Sequence, residues 1–393
     1  MAGEGPDAVG RVALVWNDQI AYDFGEGHPL APVRVELTVE LIRALGLVDG
    51  HRVVEVLPEQ PAEDEVLRLH RPDFVRAVQR VSANPEITAD WQFGLGPGDN
   101  PVFPQMHDAS LDVCAASKEA ARQVWERHAD HAFNPAGGLH HAMPDRAAGF
   151  CIYNDPAVAI DWLLEHGADR IAYVDVDVHH GDGVETMFAE DPRVLTISLH
   201  ESGRFLFPGT GASEDIGGPG APGSSANVPF FPGTTGDVWL DSFDAVVEPL
   251  VRAFAPDVLV TQLGCDTHAT DPLAHLALTV DEFGQIVHRL HRLAHEASAG
   301  RWVAMGGGGY QWVQVVPRAW TIAFAEMCDA TVPVEVPERW RQLAVARTGE
   351  PAPVSFHDGD VDISAPIRMQ ARAAADDAVA AVRRLVLPHH GAR

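Results

Sequence analysis

A chain of 393 residues that is 46% hydrophobic suffices for one large α/β domain or two ordinary ones, and is too apolar to stay disordered. Its formal charge of −28, with Lys118 the only lysine, disfavours phosphate-backbone binding and so argues against a nucleic-acid partner. Charges interrupt the apolar runs before membrane-spanning length, and Cys114, Cys151, Cys265 and Cys328 are too scattered for a cysteine-rich zinc site or a disulfide framework.

The start, MAGEGPDAVGRVALVW, is acidic, has no basic and apolar leader, and reaches its first strand almost at once, which favours the cytoplasm. Strand candidates then follow in the order RVALVW, HRVVEVL, IAYVDVDV, RVLTISLH, DVLVTQLG and RWVAMGG. They are rich in Val, Leu and Ile without strict alternation, the pattern of parallel strands covered on both faces. Between several lie helix-length segments: HDASLDVCAASKEAARQVWERH, DPAVAIDWLLEHG, and VDEFGQIVHRLHRLAHEASAG with Gly300 as its stop. This alternation predicts an open, mainly parallel α/β sheet with the site beyond the C-terminal ends of its strands. The Gly/Pro/Ser-rich SEDIGGPGAPGSSANVPFFPGTTGD reads as a long connection. After about Ala330 come VPVEVPERW, a Pro-rich tract, SFHDGDVDISAP and an alanine-rich helix, PIRMQARAAADDAVAAVRRLVLP.

Unusual residues gather where three strands end. If VDVDVH is extended, Asp175, Asp177 and His179 share one face and Val174, Val176 and Val178 the other. Carboxylates beside an apolar core are prohibitively desolvated unless paired or metal-bound. Asp177, His179 and Asp266 of QLGCD form the best ligand set, with a position open for water or a substrate oxygen. One histidine and two carboxylates suit catalytic Zn²⁺, and also Fe²⁺, Co²⁺ or Mn²⁺. A turn of locally hydrogen-bonded residues is the competing account of DxDxH.

Two anionic ligands acidify a water less than three neutral histidines, so a protein base is needed. His140 and His141 follow the Gly-rich turn PAGG, where both side chains can enter one pocket, and Asp175 and Asp182 are candidate acceptors for their other nitrogens. MGGGGYQ lacks the GKS or GKT ending of a phosphate-binding loop. Its Tyr310 can donate to an oxyanion, or simply cap the core after a tight turn.

Taken in order, DFGEGHPLAPVR, GLGPGDNPVFP, GGLHHAM, AGFCIYND, YVDVDVHHGDGVE, SLHESGRFLFPGTG, QLGCDTHATDPLAH and GGGGY resemble the zinc-dependent histone deacetylase family, in its bacterial acetoin-utilisation (AcuC-like) branch. The resemblance runs from about Arg11 to Ala330. It implies an arginase/deacetylase-like α/β fold with helices on both faces, a catalytic domain at 1–330, and a C-terminal extension at 331–393, packed or partly flexible. It also implies zinc on Asp177, His179 and Asp266, and His140 and His141 paired with Asp175 and Asp182. His141 would be the general base and later proton donor, His140 would tune electrostatics, and Tyr310 would polarise the carbonyl.

By the same resemblance Phe150, Phe207 and Leu273 would wall an acyl-lysine tunnel. Arg34 would lie beneath the site, although a structural salt bridge is the plainer reading of that residue. Asp99 would be the rim acid that holds a substrate backbone, in a loop whose spacing departs from the GLGYDCP-like form. Leu139 stands where eukaryotic members often have tryptophan, and GGGGYQ where many have GGGGYN. Structural K⁺ is a further implication, one site using the 175–179 strand with Ser198 and Leu199.

The implied activity is hydrolysis of N-acetyl-lysine in proteins, an acetyl-CoA synthetase among them. An acetylpolyamine is the alternative substrate, and the acidic surface fits either. A binding module without catalysis agrees less well with the intact ligands, histidines and tyrosine, and a binuclear ureohydrolase less well with DVDVHHGDG and a single metal triad. Oligomeric state is not legible.

Overall fold

The computed structural model describes residues 10–18, 22–59, 62–84 and 86–391. Among them, β1 (Val12–Val15), β2 (Val53–Val56), β3 (His131–Asn134), β4 (Ile171–Asp175), β5 (Val194–Glu201), β6 (Ser225–Phe230), β7 (Val258–Gln262) and β8 (Trp302–Met305) form one sheet. Its order is β2-β1-β3-β8-β7-β4-β5-β6, and every pairing is parallel. The helices are α1 (Val33–Ala44), α2 (Glu63–Leu67), α3 (Pro72–Ala83), α4 (Met106–Trp125), α5 (Asp155–Glu165), α6 (Asp182–Phe188), α7 (Gly236–Phe254), α8 (Val280–Ala297), α9 (Val316–Met327), α10 (Glu338–Thr348) and α11 (Ala365–Leu385).

Alternation along each strand feeds two cores. Val12 and Leu14 join Val174, Ile197 and Leu259 in the core that packs α1, α7, α8, α9 and α11. Ala13 and Val15 turn the other way, toward Tyr173, Val260 and Val303 and the buried sides of α4, α5 and α6. Burial of both faces is why these strands carry no polar alternation.

Local signals set the helix ends. Thr279 and Glu282 form a capping box at the start of α8: Thr279 Oγ1 accepts from Glu282 N at 3.3 Å and Glu282 Oε2 accepts from Thr279 N at 2.8 Å. At α5 the Asn154 side chain accepts from Ala157 N at 3.0 Å. The expected stop at Gly300 is realised with φ +80, three residues after α8 ends at Ala297.

Two expectations need correction. The stretch read as one long connection contains β6, which holds the outer edge of the sheet. Pro229 is tolerated there because an edge strand leaves one row of N–H positions unpaired. The strand β3 went unrecognised because His131 and Asn134 flank only two apolar residues.

Residues beyond Ala330 pack on the same body. Trp340 of α10 is buried and donates from Nε1 to Leu37 O of α1 at 2.8 Å. On α11, Ala375, Ala378 and Val382 enter the core shared with α7 and α8.

Candidate active site

Register brings the site together. Asn134, Met305, Gln262 and Asp175, the last residues of β3, β8, β7 and β4, pair in one row across the sheet. Four adjacent strands therefore release their following segments side by side: PAGGLHH, GGGGY, LGCD and VDVHH. The extended reading of VDVDVH holds only to Asp175, where β4 ends; Val176 to His179 turn across the strand ends instead. Parity still operates within the strand, since Tyr173 OH donates to Asp175 Oδ2 at 2.7 Å.

Asp177, His179 and Asp266 each offer a ligand atom, all within 4.8 Å of one another. His179 Nδ1 lies 3.0 Å from Asp177 Oδ1 and 3.2 Å from Asp266 Oδ2. The remaining oxygens are held from behind. Asp177 Oδ2 accepts from Gln262 Nε2 and from Gly308 N, both at 2.7 Å, and Asp266 Oδ1 accepts from Val178 N at 2.8 Å. Gly308 must be glycine, because a Cβ there would collide with both carboxylates.

The cluster calls for positive charge. Burial raises Asp266 to about 7, helped by the Asp177 charge. Burial opposes charging of His179, yet the two aspartates prevail and lift it to about 10. A buried set of two carboxylates and one imidazole, each fixed by outer hydrogen bonds, fits a divalent cation that would supply that charge in place of a proton. The donor set does not select among Zn²⁺, Fe²⁺ and Co²⁺.

Beside it, His140 and His141 meet through their Nε2 atoms at 3.0 Å. His140 Nδ1 reaches Asp175 Oδ2 and His141 Nδ1 reaches Asp182 Oδ1, both at 2.7 Å. Near-identical geometry gives opposite electrostatics. At His140 burial is outweighed by the Asp175 and Asp177 charges, which raise it to about 9. At His141 burial and the charge on His140 win over Asp182 and depress it to about 4. His141 is thus the neutral member, with Nδ1–H held by Asp182 and a lone pair on Nε2.

The small cavity above these groups is lined by Leu30, Leu139, Gly149, Phe150 and Tyr310 together with His140, His141, Asp177 and His179. Phe150 and Tyr310 meet edge to face with centroids 5.8 Å apart. Phe207 is 42% exposed and stands edge-on to His141 at 5.0 Å. Phe150 has φ +69, a strained conformation for an aromatic residue. Tyr22 OH pins it by donating to Phe150 O at 2.8 Å while accepting from Ile152 N at 3.1 Å.

The other expected residues differ in how closely they join the site. Arg34 is buried and donates to Gly307 O at 2.7 Å and Gly309 O at 3.3 Å. It braces the glycine run, and no carboxylate pairs with it among the described residues, so the salt-bridge reading is corrected. Tyr310 N donates to Asp271 Oδ2 at 2.9 Å. Asp99 is exposed, with its carbonyl 3.3 Å from His28 Nε2, and the His28 ring meets Phe150 at 4.6 Å. Leu273 is half-buried, and the cavity lining does not include it. Ser198 pairs with Asp175 across β5 and β4.

Sequence reasoning missed Gln262, Tyr173, Tyr22, Asn154 and His70. Tyr173 lies two residues before Asp175, so strand parity could have flagged it; Gln262, where β7 ends, and Tyr22 carry no local signal. Asn154 Nδ2 donates to His140 O and Ala142 O, both at 3.0 Å, and so shapes the histidine loop.

His70 supports Asn154 in turn. Its Nδ1 donates to Met143 O at 2.9 Å and its Nε2 accepts from Asn154 N at 3.0 Å, an arrangement that needs neutral imidazole. Burial pushes His70 down to about 4. The unfolded chain protonates near 6.5, so this histidine's contribution is whole above that pH and is lost as pH falls toward 4. The expected loss at pH 5 is about 2 kcal/mol. Substituting His70→Gln keeps a donor and an acceptor without titrating. Urea unfolding at pH 7 and pH 5 should show a narrower gap for this variant than for the wild type; an equal gap contradicts the assignment.

Comparison with known proteins assigns the chain to a family. Residues 28–327 match the family described as "Histone deacetylase domain". The acetoin utilization protein AcuC of Bacillus subtilis (strain 168) is 39% identical over 320 residues, covering 81% of this chain and 82% of that protein. The AcuC protein of Staphylococcus xylosus is 35% identical over 327 residues, covering 82% and 84%. Among solved structures, an HDAC homolog from Aquifex aeolicus superposes with a TM-score of 0.80 at 27% identity, covering 94% of this chain and all of that one. An HDAC homolog complexed with SAHA gives 0.81 at 27% identity, covering 94% and 99%.

Proposed function

The chain belongs to the histone deacetylase family, and from that premise we propose that it hydrolyses N-acetyl-lysine in proteins, releasing acetate and the free lysine amine. The observation that carries this reading is the His140–His141 pair, each ring backed by its own carboxylate, beside the Asp177–His179–Asp266 cluster. Asp177, His179 and Asp266 would hold the ion, for which zinc is proposed. When bound, it would polarise the acetyl carbonyl and make a water more acidic.

His141 Nε2 takes the proton of the attacking water, with Asp182 stabilising the imidazolium through Nδ1. As the amide C–N bond breaks, His141 returns that proton to the leaving nitrogen. Tyr310 donates its hydroxyl hydrogen to the carbonyl oxygen as charge develops there. Phe150 and Phe207 enclose the methylene stem of the neutral acetylated side chain.

A protein substrate is the reading we favour over a free amine. Ala147 N donates to Phe93 O at 2.9 Å, seating the 90–100 loop beside Phe150. Asp99 on that loop and Phe207 are both exposed, as groups that contact a substrate chain must be. Among the described residues no helix is long and apolar enough to cross a membrane. We place the activity in the cytoplasm, on acetylated metabolic enzymes such as an acetyl-CoA synthetase. Structural K⁺ beside Ser198 and Leu199 belongs to the same proposal.

The test compares kcat/KM for acetate release from an acetyl-lysine peptide and from acetylpolyamines, using zinc-loaded protein. Higher values on the peptide are expected. Preference for the polyamines would make this a small-molecule amidohydrolase, and peptide binding without turnover a reader module. On the peptide, Tyr310→Phe should lower kcat by about 10²–10³-fold, as for loss of one oxyanion donor, with ion content unchanged. Wild-type turnover in that variant would remove Tyr310 from the reaction.

A further inference from the structure

A second histidine cluster lies at the opposite ends of the strands, under the middle of the sheet. His131 opens β3 and pairs in register with Trp302, which opens β8, so both stand at the strand ends opposite the candidate active site. His291 and His295 lie one turn apart on α8 and reach the same spot. His131 Nε2 and His295 Nε2 each lie 3.1 Å from His291 Nε2. One ligand atom from each of the three falls within 4.8 Å of the others.

We propose that His131, His291 and His295 form a binding site for one divalent transition-metal ion, zinc fitting best, separate from the Asp177–His179–Asp266 cluster. Proton sharing accounts for the geometry poorly. Glu326 Oε1 of α9 lies 3.1 Å from His291 Nδ1, so that nitrogen carries the hydrogen and Nε2 is left with its single lone pair. Two further imidazole nitrogens face that one lone pair, and a shared proton can bridge only one of them. A cation satisfies all three. Two imidazoles bound at about 2.05 Å to a tetrahedral zinc stand about 3.3 Å apart, close to the separations here.

Other features suit a ligand set. The carboxylate behind His291 is the usual outer partner of a metal-binding imidazole. Trp302 stacks on the His291 ring, with centroids 5.8 Å apart and planes 24° apart, and its Nε1 is tied to Thr261 at 2.9 Å. His131 is buried, with the His291 and His295 ring centroids 4.8 Å and 5.1 Å from its own. His295 is exposed and provides a path of entry and a face for a solvent ligand. Three neutral nitrogens favour zinc, copper or nickel over magnesium or calcium. The ion would join α8 to β3 across 160 residues of chain, and binding only the folded form would stabilise it.

The experiment uses untagged full-length protein, stripped with chelator and titrated with Zn²⁺, and with Co²⁺ for its absorption spectrum. Wild type should bind two equivalents, His295→Ala one and Asp266→Asn one, with the imidazole-rich cobalt spectrum lost only in His295→Ala. Peptide deacetylation by His295→Ala should match wild type. His288→Ala is the control: its Nδ1 also meets Glu326 Oε1, at 2.9 Å, but it lies outside the three-histidine cluster and should leave two equivalents. Equal stoichiometry in wild type and His295→Ala overturns the site. An equal loss in His288→Ala and His295→Ala also overturns it, by marking loose binding to surface imidazoles. Asp266→Asn reports separately on the active-site ion, so failure of one assignment leaves the other readable.

Discussion

Asp266→Asn should abolish retention of the active-site ion and lower deacetylation by about 10³-fold or more, the scale of losing several kcal/mol of charge stabilisation. The substitution is nearly isosteric and keeps an oxygen for the Val178 N–H, so the loop should not collapse. Its effect on the ion-free protein runs the other way. Burial and Asp177 raise Asp266 to about 7, so the folded state holds this proton to a higher pH than the unfolded chain does. The contribution of Asp266 to the stability of the ion-free wild type therefore falls as pH rises from about 4 to about 7, and Asp266→Asn lacks that dependence. Urea midpoints of the stripped proteins at pH 5 and pH 7 should show the variant gaining on wild type at the higher pH. A variant that still holds the ion and turns over peptide would refute the ligand assignment.

His141→Ala should reduce kcat by about 10²–10⁴-fold, the range for loss of a positioned general base. Ion content should stay at the wild-type level, because His141 belongs to the neighbouring pair; its ring centroid lies 5.7 Å from that of His179. His140→Ala should behave differently. Its Nε2 lies 4.0 Å from Asp177 Oδ1, so its removal withdraws positive charge from the ligand cluster and should alter ion affinity as well as rate. Rate loss without ion loss for His141, and both together for His140, is the expected split. Equal effects on both readouts would make the two histidines interchangeable and remove the case for one neutral base.

Much of the site was legible because its chemistry is improbable elsewhere. Carboxylates closing an apolar strand, as in IAYVDVDV, demand compensation, and Asp266 after DVLVTQLG repeats the anomaly. The parallel sheet was legible from strands such as IAYV and DVLV, whose burial on both faces leaves an apolar run. The strand β6 was hidden by Ser225, Asn227 and Pro229, residues an edge position tolerates, and β3 by its brevity. The continuous strand through His179 was wrong because β4 stops at Asp175, and the backbone turns to bring two aspartates and a histidine onto one point. Gln262, Tyr22 and His70 are ordinary residues in the sequence. Folding alone gives them their partners, at separations of 85, 128 and 84 residues. The cluster of His131, His291 and His295 is hidden for the same reason, since only the register of β3 with β8 brings a strand histidine under α8.

The central claim is that Asp177, His179 and Asp266 share one cation beside His141. Anomalous diffraction at the zinc edge, on crystals of zinc-loaded His295→Ala protein, tests it most directly. The expected result is one strong peak about 2.0–2.2 Å from His179 Nδ1 and from an oxygen of each aspartate, with His141 Nε2 facing the same space. A loaded, active protein whose zinc peak lies away from these three residues would contradict it.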